Sequence, residues 1–304
     1  MASTEGIQQW QVSEPWLNIR CGLGEGPYYE SASNTLRFVD IKKKQLHTVS
    51  LTEGPASHKV VEFDERITVT ADIEGRDPRD AIVVGAKQGL AVLDRKTNKY
   101  EYVIKFPEVA EGRIRSNDGG VDPHGRFWMG TMTDFGCNLG PEGSLYCFDG
   151  NNTPAPTKVK GDLTIPNTIG WSPDGRTMYF THSSARTIFA WDYDVATGEL
   201  SNERVFYTHD GPGEPDGFRI DTEGNLWHAV YGESRVLKIS PEGKIVGEVK
   251  IPARNATCAE LVDGVLYVTT AGDDEGSEEE RRYAGAVFRV EVGAQPTPRH
   301  LFKL

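Results

Sequence analysis

Four short stretches of this chain carry oxygen-bearing side chains in settings that could do chemistry. In "LGEGPYYE", Glu25 lies between Gly24 and Gly26, with Pro27 next. Flanking glycines let the backbone approach closely and aim one carboxylate, although a solvated turn glutamate has the same appearance. In "RSNDGG", Arg115 offers a planar donor fork, Asn117 a neutral carbonyl oxygen and Asp118 a carboxylate. Aspartate before glycine is also an ordinary turn cap. In "IPNTIGWSPDG", Asn167 follows a proline and opens an apolar strand. A buried amide there needs a partner, either a backbone group or a metal. In "GEPDGFRIDTEGNLW", Asp216 sits between Pro215 and Gly217.

These stretches align with one another. The run "PDGFRIDTEGNLW" parallels "NDGGVDPHGRFW", which puts Asp216 and Asn117 in equivalent places. Asn167, with "WSPDGRTMY" after it, falls at the same point of another copy. Side chains at one position of successive repeats converge on a shared axis. Two carboxylates with one or two amide oxygens suit a hard divalent cation. Without one, two negative charges held together repel and raise a pKa. The seven histidines show no HxxxH or HxH spacing, so a His-rich zinc site is not expected. His182 in "FTHSS" and His228 in "LWHAV" are expected on inner strands, either lining the channel or as satisfied structural residues.

The elements that must position these groups recur six times. Each copy is a turn, a strand, a short interruption and a second strand, beginning near Asn34, Asp80, Gly125, Gly175, Gly224 and Gly264. The spacing of roughly 40 to 50 residues is that of propeller blades. Turns are marked by "DPHG", "SPDG", "DTEG" and "SPEG". Alternation of apolar residues is loose, as expected of strands buried on both faces. The pattern predicts an all-β, six-bladed propeller of four-stranded blades, with residues 1–304 as one domain. The segment "WQVSEPWLNI" is expected to close the last blade. Only "SEEERRYAG" suggests a helical turn, interrupting the sixth copy.

Bulk properties bound the function. The chain is 38% hydrophobic and 26% charged, with 33 glycines and 17 prolines, which suits a turn-rich globular protein. A net charge of −12 disfavours nucleic-acid binding. Four cysteines without CxxC spacing argue against a zinc ribbon or redox pair and suit a reducing compartment. No signal peptide is legible, and no apolar run approaches the roughly 18 residues of a membrane helix. A cytoplasmic protein, monomeric or weakly oligomeric, is expected.

The motifs "GEGP", "R-x-NDG-x-VD-x-x-GR", "GTM", "IPN-x-x-x-WSPDG", "AWDYD", "PDG-x-x-ID-x-EG-x-LW" and "LYVTTA" occur in order from Gly22 to Ala271. Together they resemble the SMP-30/gluconolactonase family. The resemblance implies a six-bladed propeller with one divalent metal at the channel mouth (calcium, zinc, manganese, magnesium or iron). It implies hydrolysis of a small sugar lactone, an aldonolactone, to the aldonic acid. Carried over by motif, Glu25, Asn167 and Asp216 would hold the metal, and Asn117 would lie near it or on the substrate. Arg115 would grip the sugar. Some members carry a substrate-contacting glutamate after "GTM"; here "GTMTDFG" offers Asp134 with Phe135 beside it. Thr168 stands where the family commonly has glycine. A metal-activated water with Asp216 as general base follows from these groups. Two other functions fit the scaffold: an aryl-ester or organophosphate hydrolase, and a non-enzymatic calcium-binding propeller.

Overall fold

A computed structural model describes residues 6–107, 112–150 and 155–304. A first strand, β1 (Gln8–Gln11), precedes six antiparallel meanders. Blade one is β2 (Gly24–Glu30), β3 (Thr35–Asp40), β4 (Gln45–Ser50) and β5 (Lys59–Glu62). Blade two is β6 (Ile67–Ala71), β7 (Ala81–Ala86), β8 (Gly89–Asp94) and β9 (Lys99–Lys105). Blade three is β10 (Ile114–Val121), β11 (Phe127–Thr133), β12 (Gly143–Phe148) and β13 (Thr157–Leu163). Blade four is β14 (Pro166–Trp171), β15 (Thr177–His182), β16 (Thr187–Tyr193) and β17 (Leu200–Thr208). Blade five is β18 (Glu214–Ile220), β19 (Leu226–Tyr231), β20 (Arg235–Ile239) and β21 (Ile245–Lys250). Blade six is β22 (Ala256–Val262), β23 (Val265–Thr270) and β24 (Val287–Glu291), with the short helix α1 (Glu278–Arg282) inserted before its last strand. Ser277 and Glu280 form a reciprocal capping box on α1, which explains why this acidic run turns helical.

The innermost strands β2, β6, β10, β14, β18 and β22 neighbour one another in sequence, and β22 returns to β2. The molecule is a six-bladed β-propeller. The N-terminal segment divides its pairing. β1 runs parallel to β21 as a fifth strand of blade five. Leu17 then bridges Val287 of β24, the fourth position of blade six.

The core lies between blades. Six apolar clusters fill the six interfaces. Along β11, Phe127 and Met129 pack toward blade two, whereas Trp128 between them packs toward blade four. Leu226 and Val230 of β19 face blade four, while Trp227 and Ala229 face blade six. The period of two persists, but both faces are apolar, which is why alternation is faint in the sequence.

Turns are fixed by a repeated aspartate. Asp122 accepts the His124 and Arg126 N–H groups, both at 2.9 Å, and Trp128 Nε1 at 2.9 Å. Asp221 does the same with Glu223, Asn225 and Trp227 Nε1 at 3.0, 2.8 and 3.0 Å. Gly125 and Gly224 within these turns have φ of +98° and +86°, a region where a Cβ is strained.

The C-terminal segment crosses one end of the channel. Pro296 bridges Asp221, Phe302 bridges Ile73, and the Lys303 N–H donates to Gly125 O at 2.9 Å. Phe302 is fully buried among blades two and three. Among the described residues, no helix is long and apolar enough to cross a membrane.

Candidate active site at the open channel mouth

Glu25, Asn117 and Asp216 read in the sequence as loop residues ahead of the inner strands and Asn167 as the start of one; the structure places all four within those strands. Each inner strand carries one extra residue against its neighbour near its start. The register breaks fall between Glu25 and Tyr28, Ile67 and Val69, Ser116 and Gly119, Pro166 and Ile169, Pro215 and Phe218, and Ala256 and Cys258. A bulge unpairs residues and re-aims their side chains. Asn117, Asn167 and Asp216 are the first unpaired residues of three such bulges, and Glu25 immediately precedes a fourth. In blades two and six the bulge residues are Thr68 and Thr257. Their hydroxyls tie neighbouring inner strands, Thr68 to Ser116 Oγ at 2.8 Å and Thr257 to Gly24 O at 2.5 Å.

These inner strands contain glycine and proline and break register, so they read as loops. The regular apolar strands β15 and β19 read as innermost instead. His182 and His228 consequently sit one strand further out than expected. His228 is buried against Thr181 Oγ1 (3.0 Å) and Ala229 O (2.9 Å), and His182 Nε2 accepts the Thr164 N–H at 3.1 Å. Both are satisfied structural residues.

Glu25, Arg115, Asn117, Asn167 and Asp216 all line one cavity of about 210 Å³. Leu23, Met132, Phe135, Ile165 and Tyr231 form its apolar wall, and Lys42, Ser183 and Glu214 complete it. Asn167 Nδ2 donates to Asp216 Oδ1 and, at 3.0 Å, to Ser183 Oγ. Its Oδ1 is buried and has no hydrogen-bond partner among the described residues. Among the described residues, Glu25 accepts only the Gly26 N–H, at 3.0 Å. Close packing lets blades meet here: a Cβ on Gly217 would lie 2.3 Å from Cys258 Sγ.

Asp118, legible in sequence only as a turn cap, belongs to the same electrostatic group. It is 7% exposed, and its carboxylate accepts the Thr168 hydroxyl and the Gly119 N–H. Thr168, the departure from the family's glycine, thus has a partner. Asp118 and Thr168 line a second cavity of about 80 Å³ behind the first, closed by the tail at Thr297, Pro298, Arg299 and His300.

Burial followed by repulsion from Asp118 pushes the Glu25 carboxyl up to about 8, against the Gly26 N–H and Arg115. Burial, then Glu25 and Asp118, holds Asp216 well above the usual carboxylate range. Burial also raises Asp118. Three buried carboxylates with an orphaned amide oxygen form an acceptor-only set, for which a bound cation is the complement.

Arg115 Nη1 donates to Asn117 Oδ1 and Ser116 O, each at 2.8 Å, and its guanidinium lies 4.5 Å from the centre of the Phe135 ring. Burial lowers its pKa to about 10. Asn117 Nδ2 donates to Pro166 O at 2.8 Å, tying Arg115 to the strand of Asn167. Asp134 turns away from the cavity. It pairs with Lys87 at 2.7 Å and lies 3.6 Å from Arg66 and 3.9 Å from Arg115. Phe135 occupies the wall beside it.

Fold and mouth together define a six-bladed propeller with an oxygen-rich axial site at one open end. The SMP-30/Gluconolactonase/LRE-like region matches residues 23–272, and the chain belongs to that family. A pentonolactonase of Haloferax volcanii is 31% identical, covering 93% of this chain and 95% of its own. Regucalcin of Oryctolagus cuniculus is 33% identical over 90% and 92% of the two chains. Among solved structures, a regucalcin from Agrobacterium tumefaciens, described as a calcium-binding protein, superposes with a TM-score of 0.88 at 26% identity. It covers 98% of this chain and 99% of that one.

Proposed function

We propose that this protein hydrolyses a sugar-derived aldonolactone to the aldonic acid, with a divalent cation held by Glu25, Asn167 and Asp216. The observation that carries this reading is the meeting of those three residues from three blades around an unpartnered amide oxygen in one cavity. Names of relatives support the substrate class: a pentonolactonase lies among them. The donor set is all oxygen, which fits calcium, magnesium, manganese, zinc or iron.

A divalent ion bound there polarises a carbonyl and lowers the pKa of water. The protein's own groups do the rest. Asp216 accepts the proton of the attacking water as its oxygen bonds to the lactone carbonyl carbon. The ring carbon–oxygen bond breaks, and Asp216 returns the proton to the departing ring oxygen, leaving a hydroxyl and a carboxylic acid that releases its remaining proton to solvent as the carboxylate. Arg115 orients the sugar through its fork, and Asn117 holds that fork in place while retaining a free lone pair. Asp134 acts on the substrate through Arg115. The wall of Leu23, Met132, Ile165 and Phe135 excludes water from the sugar's C–H face. Four free cysteines support a reducing, cytoplasmic setting, and no partner beyond the small lactone is required.

The test is an acidification assay over a panel of aldonolactones, with an aryl ester and an organophosphate alongside, each with a chelator and with single added cations. Cation-dependent acid release from at least one aldonolactone is expected. Turnover of only the aryl ester or organophosphate, or cation binding with no turnover of any substrate, would overturn the lactonase reading.

A further inference from the structure

A second group of ligating side chains lies at the seam between blades six and one. Cys21 in the segment before β2, Asp40 at the end of β3 and His47 in β4 place a sulfur, an oxygen and a nitrogen within 4.8 Å of one another. They are 2%, 0% and 3% exposed. His47 Nδ1 bonds to His58 Nε2 at 2.9 Å, whereas the buried Nε2 of His47 has no partner among the described residues. Phe38 stacks on the imidazole at 4.8 Å, 3° from parallel, and fixes its plane. Asp40 accepts the N–H groups of Gly22, Leu23 and Lys43 at 2.7, 3.1 and 3.0 Å. Its nearest cation is the half-exposed Lys43 ammonium, 4.0 Å away.

A histidine with one bare ring nitrogen, a buried carboxylate whose counter-charge is half-exposed and a thiol are therefore neighbours. That is a ligand set for a borderline-soft ion, unlike the all-oxygen axial site. The His58 contact is the outer hydrogen bond that fixes tautomer and ring orientation in such sites.

We propose that Cys21, Asp40 and His47 form a second metal site, taking zinc or a similarly thiophilic divalent cation and pinning the seam that closes the ring. Ligand atoms around tetrahedral zinc stand about 3.3–3.8 Å apart given its bond lengths, so loading draws the trio together by roughly 1 Å. The Cys21 thiol loses its proton to solvent as the sulfur bonds to the ion, and His47 binds through neutral Nε2. The Asp40 contacts to Gly22 and Leu23 connect this site to the strand that bears Glu25.

The experiment is to produce the protein in cobalt-supplemented minimal medium under reducing conditions, then measure bound cobalt and the near-ultraviolet thiolate-to-cobalt charge-transfer band. The band is expected in the unaltered protein. Cys21→Ser and His47→Gln should each lose one cobalt equivalent, Cys21→Ser with complete loss of the band. Glu25→Gln should keep the band, because the axial site has no sulfur ligand, so failure of the axial reading shows separately. Absence of the band from the unaltered protein, or its survival in Cys21→Ser, would overturn the proposal. His47→Gln keeps the thiol, so a folding failure of Cys21→Ser does not decide the matter: an unchanged band and cobalt content in His47→Gln would also overturn it.

Discussion

Asn167 on blade four donates its amide nitrogen to the Asp216 carboxylate on blade five, and its own carbonyl oxygen is left buried and unpartnered. The two residues are 49 positions apart and occupy the same bulge position in successive blades. Asp216→Asn keeps the shape and removes the proton acceptor. Turnover is expected to fall by roughly 10²–10⁴-fold, the usual worth of a general base, with an unchanged circular dichroism spectrum. Near-normal turnover in cation-saturated buffer would remove Asp216 from the mechanism.

Glu25, Asp118 and Asp216 repel one another in the absence of a cation. A divalent ion that binds only the folded state should stabilise it by about 2.7 kcal/mol at a hundred times its Kd. Thermal melts with a chelator and with each cation measure this. With calcium or magnesium, which avoid thiolate ligands, Glu25→Gln is expected to abolish most of the gain; an equal gain in that variant would mean the ion binds elsewhere.

Arg115→Lys retains the charge and loses the fork that Asn117 and Ser116 O hold. Planar, bidentate recognition of sugar oxygens should suffer, with kcat/KM falling by roughly ten- to a hundredfold, the worth of one or two hydrogen bonds to a charged group. Steady-state kinetics on the best lactone decide it, and an unchanged kcat/KM would place the sugar away from Arg115.

His228 is fully buried, and burial depresses its pKa from 6.5 to about 4. The unfolded chain therefore binds this proton first as pH falls. Stability contributed by the neutral imidazole is intact above pH 6.5 and is lost progressively down to about pH 4. Denaturant midpoints across that window should decline in the native protein and decline less in His228→Gln. Equal slopes would show that other groups govern acid sensitivity.

Phe302 fastens the C-terminal segment into the interface of blades two and three at zero exposure. Phe302→Ala should cost about 3–5 kcal/mol, the usual range for a large buried aromatic. A midpoint shift below about 1 kcal/mol would show that the backbone bridges at Ile73 and Gly125 hold the tail without it.

Much of the site is legible in the sequence because it is repeated. Asn117, Asn167 and Asp216 each stand eight residues before a turn glycine, Gly125, Gly175 and Gly224 respectively. Alignment of the copies alone makes them equivalent. Glu25 stands out only through its flanking glycines. Asp118 is not legible, because aspartate before glycine has an ordinary local use, and only its burial beside Glu25 and Asp216 marks it otherwise. The inner strands are hidden for a related reason. A strand that bulges, carries glycine or proline and points polar groups inward has neither alternation nor an apolar run.

Turn residues and the length of the repeat, by themselves, determined six blades and the positions at which blades three, four and five offer a polar side chain. Those are local properties, set by backbone conformations that few residue types tolerate. Only the tertiary structure decided that bulges within the inner strands aim those oxygens, that Asp134 faces Lys87 and leaves the wall to Phe135, and that β1 joins blade five. Such matters depend on how strands far apart in the chain twist and pack around an axis, and no local preference encodes them.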